Sequence, residues 1–479
     1  MLDFKKIGKM KSIRYILILV TVVASFSCTK VTDQVPESII TGANFYKTAT
    51  DADNGINACY DALQGSPGNY VVWGDGRSDV LASTDRSGSA DLQVASGNVS
   101  TSNGYIGWGS LYSGINRCNG VLKHVPDITD PALAARKDRI LGEAYFLRAL
   151  FYFYLTRTFE NVPLILEPYE NLSGDFYPKQ SDRATIFVQI EADLKQAEQL
   201  VPDLPFSSTV ENKGKATKAA VRCVMADLYL WEKKYDLAAN AADLVIKSPA
   251  KYTLVSGANY GTLFTSKNTS ESIFEIQYNN SYAEYNLQNG VNSISELFLP
   301  LGGSLTAGNW RYQPSNAVLN ALPSNDLRAS ATYKNTGNTP APYRDANKTY
   351  IAKYPGTIAS NVMYLDANRI IYRLAEVILF KAEALNELGQ TQEAITLLNQ
   401  IRNRAGIGNT TASTQSQVRL AIENERLAEL AFEGKRYYEL IRTGRYAAVT
   451  GYTDPNYLRW PIASNEIIKN KNLVQNPGY

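Results

Sequence analysis

The chain predicts a mainly α fold: tetratricopeptide-type helix hairpins carrying long loop-rich insertions and a few short strands. Three observations lead there. Ile140, Ala144, Leu147, Phe151 and Tyr154 recur at intervals of three and four, the signature of one apolar face of a helix. Two later segments read as paired helices with small residues at their crossings. Two other stretches, 64–107 and 247–368, are rich in Gly, Asn, Ser and aromatic residues and show little helical period.

In chain order, the first element is an export signal. Lys11 and Arg14 give a basic start, with Met10 a candidate initiator. Ile16 to Ala24 forms an apolar run, and Ser25-Phe26-Ser27 places small residues ahead of Cys28. The run is about half of the ~20 residues a spanning helix needs. Residues 1–27 therefore read as a lipoprotein signal and Cys28 as the lipid-attachment residue of a protein anchored to a membrane without spanning it. Polar residues 28–44 suit a lipidated tether. Loss of Lys5, Lys6, Lys9, Lys11, Arg14 and Asp3 with the leader brings a formal charge of +2 close to neutrality. No stretch clusters Lys and Arg as phosphate binding requires, which argues against a nucleic-acid partner. Cys59, Cys118 and Cys223 sit in apolar helical stretches and read as buried thiols, with a Cys59–Cys118 bridge as the minor alternative.

Helical period begins near Phe45. Asp130 as cap and Pro131 in the first turn place a helix start there. The first hairpin carries Val221, Val224, Leu228 and Trp231, a turn at Lys233-Lys234-Tyr235, then Ala238, Ala241 and Val245. The second carries Leu374, Ile378, Ala382 and Leu385, with Gly389 as stop and Thr391 as cap, then Ala394, Leu398 and Ile401. About 150 residues separate the two, so a continuous solenoid is not expected. Inside the second insertion, Phe274, Ile276 and Tyr278 alternate as one face of a strand, and Ala317 to Leu322 is helical. The body divides into 45–265 and 266–479, expected to pack together.

Catalytic signatures are lacking. His124 is the single histidine and lies near a helix end. HExxH, GxSxG and GxxxxGK are absent, and Gly74-Asp75-Gly76 starts a dinucleotide fingerprint that Asp79 breaks. Asp75 with Asp79, or Glu423 with Glu425, are the acids a glycoside hydrolase could use, although solvated charge explains both pairs better. No cofactor or metal is expected. What abounds is amphipathic ring surface, 31 Tyr and 5 Trp against 15 Phe. Such rings stack on sugar C–H faces while neighbouring polar groups bond to hydroxyls.

Ordered motifs carry a family resemblance. They run from Trp108-Gly-Ser-Leu-Tyr112 with Ile115 to Asn119, through Gly142 to Ala149 with Phe159 and Val162-Pro163-Leu164, to Ala216-Thr-Lys-Ala-Ala220. Asn325-Asp326-Leu327-Arg328, Tyr372 to Val377, Ala382-Glu-Ala384, Glu425 to Gly434 and Arg436 to Leu440 follow, then Trp460-Pro-Ile462 and the terminal Gln475-Asn-Pro-Gly-Tyr479. Together they resemble the SusD/RagB family of nutrient-binding outer-membrane lipoproteins of Bacteroidetes. The resemblance implies a SusD-like helical fold, a non-enzymatic role and an outer-membrane lipoprotein facing the exterior. It also implies an oligosaccharide or polysaccharide ligand handed to a SusC-like TonB-dependent transporter. A peptide ligand on the same architecture is the alternative. Trp73 and Trp310 are the expected stacking platforms, Asp75 and Arg77 the partners of hydroxyls or a uronate, and Tyr278, Tyr282, Tyr285 and Tyr312 the frame. Glu143, Arg148, Glu383, Glu425 and Arg436 are expected to satisfy one another as partly buried ion pairs.

Overall fold

In the computed structural model the described residues are 45–479 apart from 66, 171–173, 279–293, 301–308, 339–347 and 360–361. The leader, Cys28 and the tether lie outside them, as do Tyr282 and Tyr285. Among the described residues no helix is long and apolar enough to cross a membrane.

Helix α1 (Ala49–Gln64) opens on a reciprocal capping box in which the Thr48 hydroxyl and the Asp51 carboxylate each accept the other residue's backbone N–H. A shorter α2 (Pro67–Asp75) and a strand β1 (Leu81–Ser83) follow. The next long helices are α3 (Gly109–His124), α4 (Lys137–Phe159) and α5 (Arg183–Leu200). Helix α4 is buried at nearly every position from Ile140 onward, because α3 and α5 pack along it while α1 and the later helix Lys218–Trp231 touch it as well. The expected start at Asp130 is displaced. Asp130 does cap Ala132, but Pro131–Leu133 forms only a 3-10 turn and the α-helix begins at Lys137.

After α6 (Thr209–Gly214), the first hairpin is α7 (Lys218–Trp231) and α8 (Tyr235–Ile246). Thr217 caps it at Ala220 N. Beyond the second insertion come α9 (Leu374–Glu387), α10 (Thr391–Arg404), α11 (Gln415–Leu430) and α12 (Arg436–Arg442). Gly389 turns at φ 79°, as expected of a helix stop. Thr391 is not the cap; Gln390 holds that position without a side-chain bond, and the Thr391 hydroxyl donates to Asn386.

The separation of the hairpins is overturned. Helix α8 packs directly on α9, so helices run in contact from α1 through α3, α4, α5, α7, α8 and α9 to α10 and α11. The buried alanines Ala238, Ala241, Ala382 and Ala394 permit these close crossings. The insertion loops out between them. Its two ends are tied by β2 (Ser272–Ile276) pairing antiparallel with β6 (Arg369–Arg373). All five residues of β2 are buried, so both faces are covered rather than one. Within the insertion β4 (Tyr333–Asn335) and β5 (Thr349–Ile351) form a small antiparallel ladder, while β3 (Tyr312–Pro314) pairs outside it, with β1. Cys59, Cys118 and Cys223 are free and buried.

The anticipated ion pairs exist, but with other partners. Arg139 holds Glu143, Asp193 holds Arg148 and Arg442 holds Glu383. Beneath α11 the pairs merge into a network. Arg328 reaches Asp326 at 2.7 Å, Glu425 at 2.6 Å and Glu429 at 2.8 Å. Arg373 reaches Glu271 and Glu433, each at 2.8 Å, and also Glu429. Arg404 bonds Glu429 at 2.5 Å, and Lys353 bonds Glu433 at 2.7 Å. Burial alone pushes the Glu433 carboxyl up, yet Arg373 and Lys353 outweigh it and hold the group at about 2.

Candidate functional site

The two loop-rich regions meet. Strand β1 pairs antiparallel with β3, placing Leu81 opposite Pro314 and Ser83 opposite Tyr312 across some 230 residues of chain. The Thr84 hydroxyl donates to the Trp310 carbonyl and the Ser87 hydroxyl to the Arg311 carbonyl, both at 2.5 Å. Residues 309–311 run along the short helix Ile294–Phe298 and its end, donating from Asn309 N to Glu296 O, Trp310 N to Leu299 O and Arg311 N to Leu297 O. Strand β5 packs against β3 and brings Lys348 alongside, its Nζ 5.4 Å from the Trp310 ring centre and 3.3 Å from Asp85. Trp310 sits at φ 42°, a left-handed conformation that costs a bulky residue roughly 1–3 kcal/mol. Asp85, Arg86, Asn309, Arg311 and Lys348 remain at least partly exposed around it.

The candidates from the sequence occupy the layer beneath. Trp73 is fully buried in α2, edge-on to Tyr70 and Phe159, and its indole N–H donates to Tyr105 O at 2.6 Å. Asp75, also fully buried, accepts the backbone N–H groups of Gly434, Lys435 and Arg436 at 2.7, 3.1 and 3.1 Å, capping α12 from a distant part of the chain. Burial pushes its carboxyl up to about 6 against the pull of those donors. Arg77 lies within 6 Å of the Tyr437, Tyr457 and Trp460 rings and donates to Arg459 O at 2.6 Å. Tyr278 is buried with its hydroxyl donating to Gln64 O. Trp310 is 2% exposed and Tyr312 is buried completely.

These placements correct the expected surface roles. A ring enclosed on both faces offers nothing for a solute to stack on, so Trp73, Trp310, Tyr278 and Tyr312 support the loop face instead of forming it. Asp75 and Arg77 spend their hydrogen bonds on backbone groups. Gly74-Asp75-Gly76 has a packing reason: a Cβ on Gly74 would lie 1.9 Å from the Gly434 carbonyl oxygen, so only glycine lets α2 reach the start of α12.

The acids considered for hydrolysis are likewise held. Asp79 pairs with Arg436 at 2.9 Å, Glu423 with Arg445 at 2.9 Å, and Glu425 with Arg328 and Arg402. His124 ends α3 beside Glu170. Among the described residues no cluster of His, Cys, Asp and Glu is arranged to hold a metal ion. A cavity of about 210 Å³ near the C-terminal helices contains Arg419, Arg442 and Arg445, each already bonded to Glu387, Glu383 or Glu423.

Thr84, Ser87, Arg311 and Lys348 were missed because strands of three residues carry too little alternation to read, and their partners lie far away in sequence.

Comparison with known proteins accords with this architecture. Residues 306–479 match the model of the SusD family, and residues 71–230 match a model described as starch-binding, associating with outer membrane. SusD-like protein P38 of Formosa agariphila is 27% identical, with 97% of this chain and 98% of that protein covered. SusD-like protein P2 of the same organism is also 27% identical, over 98% of this chain and all of its own length. Among solved structures, a laminarin-binding SusD-like protein superposes with a TM-score of 0.79 at 28% identity, covering 91% of this chain and 100% of its own. With matches at both ends of the chain and an unbroken helical stack between them, the chain belongs to the SusD/RagB family.

Proposed function

We propose that the protein is a surface-exposed lipoprotein, anchored to the outer membrane through Cys28, that binds an oligosaccharide or polysaccharide nutrient and delivers it intact to a SusC-like TonB-dependent transporter. The observation that carries the ligand reading is Trp310. It is held in a strained backbone conformation where the two loop-rich regions join, with Lys348 over its ring and part-exposed polar groups around it. Strain of that kind persists only where surrounding structure imposes it, and it concentrates at binding surfaces. The laminarin-binding neighbour and the starch-binding description of the N-terminal match favour a glycan over a peptide.

In this reading Trp73, Asp75, Arg77, Tyr278 and Tyr312 hold the scaffold. Arg311, Lys348 and Asp85 meet hydroxyls. A preformed surface lowers the ordering cost of capture, and hand-over to a transporter requires modest affinity, micromolar or weaker, on the order of −8 kcal/mol or less in magnitude. Isothermal titration against laminarin, other neutral glycans, uronate-containing glycans and peptides tests it. Saturable binding to a glycan class is expected. Binding to peptides alone would replace the ligand, and glycan turnover would make the protein an enzyme. Co-purification from outer membranes with a TonB-dependent transporter tests delivery.

A further inference from the structure

A second opening lies away from the β1–β3 ladder, between α1 on one side and α6 with the end of β2 on the other, and measures about 300 Å³. That is the low end of the range for small-molecule pockets, room for one small ring rather than an extended chain. Along α1, Asn57, Tyr60, Asp61 and Gln64 stand at spacings of three, four and seven and so share one stripe, with buried Leu63 at its edge, while Ile56 and Cys59 are buried outside the opening. Tyr60 forms a half-buried aromatic wall. Its hydroxyl is fixed by the backbone N–H of Ala216 at 2.8 Å, so the ring cannot swing in to fill the space. Val210 from α6 faces the same opening and is 51% exposed.

The walls are tied together. Gln64 donates to Gln277 O at 2.6 Å, and Tyr278 donates to Gln64 O at 3.1 Å. Gly214 allows α6 to lie against β2, since a Cβ there would fall 2.6 Å from the Gln277 side chain. The charges that line it are held: Asp61 is paired with Arg117 at 2.7 Å, Glu211 faces Lys215 at 3.8 Å, and the fully buried Glu275 accepts from Asn268 N at 3.1 Å and from the Asn368 side-chain amide at 2.8 Å. No charge exposed at the rim is left for a charged ligand to pair with. An uncharged ring with an apolar face and hydroxyl edges finds both an aromatic wall and amide partners.

We propose that this cleft is a second, independent subsite that takes a single uncharged pyranose unit, with Tyr60 as its stacking wall and Asn57 as a hydrogen-bonding partner. It shares its ligand class with the function proposed above but none of its residues. The unit could be a free monosaccharide or the terminal unit of a longer glycan.

The test uses the full chain. Saturation-transfer NMR and titration are run with glucose, galactose, mannose and N-acetylglucosamine, and with laminari-oligosaccharides. The variants are Val210→Trp, which fills the cleft from an exposed position, Asn57→Ala and Lys348→Ala. Weak monosaccharide binding is expected, reduced about tenfold or more in Val210→Trp and severalfold in Asn57→Ala, and unchanged in Lys348→Ala. Melting curves of all three should match the parent. Competition by a laminari-oligosaccharide, lost in Val210→Trp, would assign the cleft to a terminal unit, and its absence would assign it to free sugar. Unchanged monosaccharide binding in Val210→Trp, or no monosaccharide signal at all, overturns the subsite while leaving glycan binding at the loop face standing. Loss of polymer binding in Lys348→Ala with the monosaccharide signal intact would separate the two sites in the other direction.

Discussion

Beneath the C-terminal helices Arg373 binds Glu271, Glu429 and Glu433, and none of the four side chains is more than 2% exposed. On the loop face Lys348 reaches Asp85 across 3.3 Å, and both side chains are substantially exposed, at 40% and 63%. The contrast separates two uses of charge in one molecule. In the interior Arg328 and Arg373 are surrounded by carboxylate acceptors, so the pairs specify how β2, β6 and α11 dock and leave nothing for a ligand. At the loop face the pairing is loose, water can replace it, and so can a hydroxyl-rich solute.

The comparison can be broken most sharply at Arg373. Arg373→Met would strand the carboxylates of Glu271, Glu429 and Glu433 in the interior and should destabilise the fold by about 3–5 kcal/mol. Calorimetry should show a large drop in melting temperature. An unchanged melt would show that the network carries no structural weight.

Acid should act on the same region. Glu433 has its folded value lowered from 4.5 to about 2, so its contribution is complete above about pH 4.5 and disappears as pH falls through about 2. On the order of 3 kcal/mol is at stake for that one group. Denaturant titrations between pH 6 and 2 should show the loss in the parent chain, and a smaller loss in Glu433→Gln, whose stability should already be low at pH 6.

Arg436→Ala is expected to cost about 2–3 kcal/mol, because Asp79 and Glu439 lose their buried partner. Glycan affinity per folded molecule should be unaffected. A fall in affinity at full folding would move Arg436 from scaffold to site.

The smallest stability effect belongs to Lys348→Ala, at most about 1 kcal/mol. Here the ligand should notice instead, with glycan affinity falling severalfold by titration. If melting falls and binding holds, the loop face is structural and the contrast fails.

Much of the helical architecture was legible. The hairpins Val221 to Val245 and Leu374 to Ile401 could be read because their apolar stripes repeat every three to four residues over a dozen positions or more. Their contact across α8 and α9 could not, since periodicity records which face is buried and is silent on what covers it. The site was less legible for a related reason. Tryptophan and tyrosine in irregular segments look alike whether they face a solute or fill a crevice, and Trp73 and Tyr312 turned out to fill crevices. Ion pairing was foreseeable in kind and not in detail. Glu425 pairs with Arg328, 97 residues away, because α11 lies against that loop.

From its own order of residues, then, the chain determined that it would be helical, where its long helices run, which thiols are buried, and which family its motifs resemble. These depend on local periodicity and on short motifs, which act over a few neighbouring positions. Tertiary structure alone decided that the two insertions join at β1 and β3, that Asp75 caps a helix 360 residues further on, and that the most conspicuous rings are props beneath the loop face. Burial and pairing between distant segments are settled by three-dimensional packing, in which a residue's partner is chosen by geometry and not by its place along the chain.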